Sequence, residues 1–412
     1  MKIYLNILTV LFFLNICQGF SITKYDLPVQ EDGRIKPFST YSSNQLLKFY
    51  NKRQYNDTSL NQTLNSTEWL YEVLTKPEEW ISYPLFNIVN NDVVVSLGLD
   101  ENKRHKYSFY EIIDGFKENQ DLVNSLKNKN NEDLSLVESQ IIDVYNKIIY
   151  FDEVAHSMIC LLPIIEVKNN VIKEFMNISS EKVSYSYFVR NIDQFRVLLD
   201  DLLNTNENEW NESHIELSQI AMHLQSLTQY SYAQKIKIIP SDNMLENNIW
   251  LSPWEVLNGQ FISSNQNSIM KEYEDLFYNY LNNNRLLVDN QIANIMELVS
   301  NSDNNFKSHL IVKESWYNKI DIFSKSMILY MISFFILGIG WMYKPQICRK
   351  ISFYLILVGF LLHSYGLTLR MIIMQRPPVS TLYESILFVC FILVLFSIIF
   401  EIIRKDGLGV FI

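Results

Sequence analysis

Residues 363–389, HSYGLTLRMIIMQRPPVSTLYESILFV, set two arginines, two prolines and a Tyr-Glu pair between two apolar runs. Three such runs, about 326–343, 351–369 and 385–403, each approach the ~20 apolar residues needed to cross a bilayer. The break between the first two, KPQICRK, holds Lys344, Arg349 and Lys350, and the third run ends in Arg404 and Lys405. Basic flanks of this kind face the cytoplasm. That assignment puts the 370–384 connection on the outer side, where Arg370 and Arg376 stand against the usual charge bias.

Outward from these spans, the chain changes character. Of 412 residues, those from 20 to about 325 are rich in Asn, Asp, Glu and Lys, and the last stretch is strongly apolar. The expected organisation is a leader at 1–19, an extracytoplasmic domain at 20–325 and a membrane domain at 326–412. Met1 to Gly19 carries one lysine, an apolar stretch and small residues Cys17 and Gly19 before a cleavage point, so it reads as a signal peptide or an uncleaved N-terminal anchor. A formal net charge of −10 excludes a nucleic-acid binder that works by a basic stripe.

The expected fold class is mainly α. Apolar residues recur at three-and-four spacing over 134–165, 188–204, 212–229 and 269–299. VVVSLGL at 93–99 and IKIIP at 236–240 read as short strands through their β-branched runs. Asn-rich breaks at 203–209, 241–248 and 282–284 read as loops. Sequons at Asn56, Asn61, Asn65, Asn177 and Asn211 are expected by chance in so Asn-rich a chain.

Thiol chemistry has little to work with. Only Cys160 falls in the soluble part, with Cys17 in the leader, Cys348 in a cytoplasmic connection and Cys390 in a span, and there is no Cys-x-x-Cys. His156 and Cys160 sit four apart, as ligands on a helix can, without a second pair, and read as packing.

The residues best placed for chemistry are those of the opening stretch. His363 is the one histidine of the membrane part, and ionisable groups inside spans are functional hypotheses by default. Arg370 and Arg376 suit carboxylates, which guanidinium grips bidentately. Their partner is either Glu384 or an external carboxylate. Pro377 and Pro378 stiffen the connection ahead of the third span.

Leu367-x-x-Arg370, Arg376-Pro377-Pro378-Val379 and Leu382-Tyr383-Glu384-Ser385 together resemble the segment ahead of the haem-handling core in system II cytochrome c synthases of the CcsA type. LPVQEDGRIKPFST at 27–40, PEEW at 77–80 and ESWYNKIDIF at 314–323 resemble the extracytoplasmic region preceding that core in long or fused synthases. The resemblance implies a multi-pass protein of a bacterial inner membrane, taking part in haem export and haem attachment to apocytochrome c. It implies haem as cofactor, with His363 toward the iron and Arg370 and Arg376 toward the propionates, and Tyr383 and Glu384 as part of the motif. No tryptophan cluster like the family's outer loop occurs, and WLSPW at 250–254 lacks the following Asp. The chain is therefore expected to represent an incomplete synthase, not catalytic alone, partnered by a further subunit or the rest of the core. The reading from another class is a non-enzymatic membrane-anchored scaffold or receptor.

Overall fold

A computed structural model describes residues 26–57, 62–101, 103–242, 249–259 and 262–411. The leader with Cys17, the Asn61 sequon and most of the 241–248 loop lie outside these residues. Of the described residues, 69% are helical and 7% lie in strands. The described residues divide into two compact units, one of residues 26–308 and one from His309 onward. Residues 309–325 thus group with the apolar helices that follow them.

In the first unit the short strands are all two-stranded antiparallel pairs among the described residues. Pro28–Glu31 pairs with Arg34–Pro37 around an Asp32-Gly33 turn in which both residues have positive φ, the geometry that an Asp-Gly pair favours. Trp250 donates its backbone N–H to the Gln30 side chain at 2.9 Å, and Gln30 N–H reaches the Lys237 carbonyl at 2.9 Å. The hairpin is thereby sewn to the Ile239–Pro240/Trp250–Leu251 pair. Phe49, Trp69, Phe86 and Phe151 form the aromatic centre beside it, with ring centroids 5.4–6.4 Å apart. Trp250 and Trp254 of WLSPW are fully buried, their indole N–H groups donating to Asp303 and to the His156 carbonyl. They are core residues.

The expected strand at 93–99 is a helix, Asn91–Ser96. The Asn90 side chain caps it by accepting the Asp92 N–H, and Gly98 at φ +67 closes it while Leu99 N–H returns to the Val94 carbonyl. These end signals outweigh the β-propensity of three valines, which is weak and context-dependent. Of IKIIP, only Ile239–Pro240 is strand. The helix read over 134–165 stops at Ala155, and the one read from 188 is broken at Asn191.

Where that long helix stops, His156 meets Asp152 across one turn (3.2 Å) and stacks on Tyr230 at 4.4 Å. Tyr232 donates to the same carboxylate. Burial pushes the Asp152 carboxyl up, but the hydrogen bonds from His156 and Tyr232 outweigh it and hold it below the ordinary range. A lowered acid contributes stability that is complete above its unfolded value and is lost as pH falls through its folded one. Asp152→Asn should therefore cost about 1–2 kcal/mol at pH 6, allowing for partial exposure, and the gap to wild type should narrow from pH 5 to 3. Urea unfolding followed by tryptophan fluorescence measures both.

The second unit contains three helices long and apolar enough to cross a membrane. The span helices are Ile322–Met342, Pro345–Met374 and Leu382–Arg404. Asp321, in the left-handed region at φ 49, separates the first from helix Ser308–Ile320. The first and second span helices form an antiparallel pair with heptad-like seams. Ile322, Ser326, Leu329, Ser333, Leu337 and Gly340 are buried on one, and Ser352, Ile356, Gly359, His363 and Gly366 on the other. Between apolar helices in lipid, small residues permit the close approach that dispersion requires. Ser333 and Ser352 donate to each other's backbone carbonyls at 2.8 and 2.9 Å.

A Cβ at Gly340 would collide with that of Cys348, and one at Gly359 would lie 2.6 Å from the Tyr330 ring. Gly338, by contrast, faces open space. Gly340→Ala should destabilise the detergent-solubilised chain by about 1–3 kcal/mol, as overpacking does, while Gly338→Ala stays neutral or gains slightly in helix propensity. Thermal melting of the two variants side by side checks it.

Candidate functional site

The second span helix ends at Met374, where Gln375 at φ 53 turns the chain and its N–H returns to the Met371 carbonyl at 2.9 Å. Pro377 and Pro378 follow in a tight turn that the Ser380 hydroxyl closes on the Pro377 carbonyl at 3.1 Å. Thr381 then caps the third span helix by accepting the Glu384 N–H at 3.3 Å. Glu384 reaches back in turn to accept the Ser380 N–H at 3.2 Å. A carboxylate in the first turn of a helix is favoured by the dipole and by the free N–H groups there.

Glu384 is only 1% exposed. Its Oε1 accepts from Arg370 Nε at 3.0 Å and has Arg376 Nη2 at 3.5 Å. The two guanidinium groups differ in setting: the Arg370 side chain is 19% exposed, and that of Arg376 is 42% exposed. Arg370 is flanked by the Tyr383 ring, 5.2 Å away, and by Tyr317 of helix Ser308–Ile320. The internal pairing is therefore made. Two cations on one anion leave a surplus positive charge, and Arg376 is the more exposed of the two.

Seven residues before Arg370, on the same face, His363 is 3% exposed. Phe323 and Tyr330 of the first span helix and Phe391 of the third surround its ring at 5.4–6.3 Å. Nδ1 lies 3.5 Å from the Tyr330 hydroxyl, Nε2 makes no hydrogen bond of ordinary geometry, and the Leu387 backbone also interacts with the ring. A buried nitrogen without a partner is a standing cost that most native sites avoid. As a donor set for haem, an imidazole nitrogen and a surplus guanidinium at the same end of the bundle are of the right chemical types. The ring is enclosed, so a planar ligand reaches Nε2 only if Phe391 parts from it.

The opposite end of the same helices carries a second arrangement that the sequence pattern does not reveal. Glu401, 4% exposed, accepts the Gly407 N–H at 3.2 and 3.0 Å on its two oxygens, with Arg349 Nε at 3.7 Å. Lys405 at φ 59 and Gly407 at φ 89 turn the chain back so that Gly409 packs on the Glu401 backbone. A Cβ at Gly409 would sit 2.6 Å from Glu401 N. The one signal in the sequence is that Glu401 is the single acidic residue in the 385–403 run.

In the first unit, Cys160 is a fully buried thiol pushed well up by desolvation, and His156 commits Nδ1 to Asp152. No group of three or more His, Cys, Asp and Glu suited to a metal occurs among the described residues. No protein-family profile and no characterised protein matches the chain.

Removing Arg370 leaves Glu384 buried beside a single, longer contact, whereas removing Arg376 deletes a half-exposed partner. Arg370→Ala should cost about 3–5 kcal/mol and Arg376→Ala about 0–1 kcal/mol. Thermal stability of the two purified variants reads out the difference, and equal losses would contradict the assigned roles.

Proposed function

We propose that this chain is a component of a system II cytochrome c biogenesis machinery in a bacterial inner membrane. In this reading it presents a helical domain outside and takes part in haem export and haem ligation to apocytochrome c. The observation that carries the reading is one layer of the span bundle: an unpartnered His363 nitrogen below two arginines that share one carboxylate. The likeness of residues 367–385 and 27–40 to that family supports it from the sequence side.

Haem, when bound, supplies the iron and the vinyl groups that thioether attachment consumes. The chain's own residues have separable tasks. His363 would offer Nε2 to the iron, and Phe323, Tyr330 and Phe391 would keep water from it. Arg376 would pair with a propionate, because a half-exposed guanidinium at 3.5 Å from its present partner gives up little on turning outward. Arg370 would stay on Glu384 and hold the connection in place. The rest of the ligation site belongs to a partner subunit or a further part of the core.

Full-length chain purified after haem supplementation should show a Soret band. Arg376→Ala should lower bound haem several-fold at unchanged protein abundance, and His363→Ala should shift or abolish the band. A chain that never acquires the band supports the non-enzymatic scaffold instead. Orientation is tested separately: a cysteine at Val379 should react with an impermeant maleimide in intact cells, and one at Lys344 should react only after lysis.

A further inference from the structure

The third span helix is held differently from the first two. Its buried residues are Glu384, Ser397, Ile398 and Glu401, so three of the four are polar. Its apolar contacts, Phe391 on Phe360 at 4.8 Å and Val394 beside Ile356 and Ile398, lie between apolar surfaces that lipid tails also satisfy. In a bilayer such contacts set distance but discriminate weakly between registers. The discrimination comes from the ends. Arg349, Ile356, His363 and Arg370 are spaced by seven residues along the second span helix, so both arginines lie on one line. At 1.5 Å per residue they are about 31 Å apart, close to the thickness of the hydrocarbon core. Each meets a buried carboxylate of the third helix, Arg370 with Glu384 and Arg349 with Glu401.

We propose that Arg349–Glu401 is an inner register lock, which with Arg370–Glu384 fixes the height of the third span helix against the second and so positions Phe391 over His363. A slip by a turn in either direction separates both pairs and leaves two buried carboxylates less well compensated. Setting register is the best-attested role of buried polar pairs. Gly407, by donating to both Glu401 oxygens, holds the carboxylate ready for Arg349. The inference concerns helix positions alone and does not depend on haem.

The test is thiol cross-linking in native membranes, in full-length chain with Cys348→Ala and Cys390→Ala. A Phe360→Cys/Phe391→Cys pair, bridged by a short bis-thiosulfonate, reports the His363 layer, and Ser333→Cys/Ser352→Cys reports the first two helices. Glu401→Gln should lower the 360–391 yield about threefold or more, raise cross-links from 360 to cysteines placed at 387 or 395, and leave 333–352 unchanged. Arg349→Gln, which keeps the Gly407 bonds, should act in the same direction, and Arg349→Glu with Glu401→Arg should restore part of the original pattern, the remainder being lost with the Gly407 bonds that an arginine cannot accept. Unchanged 360–391 yields overturn the lock. So does a fall in both reporter pairs, or a loss that produces no displaced cross-links and no rescue by the exchange, because the residues would then support the fold at large and not its register.

Discussion

A carboxylate enclosed among apolar helices has to be compensated by the protein itself, since lipid offers neither water nor counter-ion. Glu384 imposes that condition at one end of the span bundle, and much of the surrounding geometry answers to it. The Ser380 N–H that ends the Pro377–Pro378 turn and the two arginines converge on its oxygens, and Thr381 accepts its backbone N–H. Glu401 imposes the same condition at the other end, and there the solution uses backbone N–H as much as guanidinium. The site layer between them is defined by these two fixed points.

His363 is the counterpart of these satisfied acids, a buried polar group whose second nitrogen lacks a bond. Its ring is kept in place by shape, through three aromatic neighbours contributed by two other helices. Buried polar atoms without a partner also occur at Trp69 and Tyr273, and what sets His363 apart is its place within a span helix beside paired charges. In the first unit the Tyr232–Asp152–His156 chain and the Arg190–Glu274 pair are answered by neighbours.

The spans were legible because apolar runs of that length are hard to bury anywhere but in a bilayer, and the helical class because the three-and-four spacing of the soluble part persists over long stretches. Local chemistry misled where two signals competed: Val93, Val94 and Val95 favour a strand, and Asn90 with Gly98 dictate a short helix. Arg370, Arg376 and Glu384 were legible as a group because they crowd one short connection. Glu401 and Arg349 were not, since they are 52 residues apart in sequence and each passes for an ordinary feature of a membrane flank. Only the antiparallel folding of the second helix on the third brings them together. The enclosure of His363 was equally unreadable, because Phe323, Tyr330 and Phe391 are distributed over two other helices and resemble generic apolar filling.

The reciprocal serines at 333 and 352 have a consequence for the order in which the molecule assembles. Each hydroxyl finds its acceptor on the opposite helix, and Gly340 and Gly359 let the two backbones approach closely, so the polar groups of the first hairpin's seam are paired within the hairpin, while Leu337 and Ile356 also pack on Ile398 and Val410. The third helix has no such self-contained interface and acquires its place only when both of its acids find their arginines. Insertion would then proceed as a hairpin that forms early and a helix that docks late. The same hierarchy run in reverse makes the third helix the first to leave under stress, which would uncover the imidazole of His363 while the hairpin stays intact.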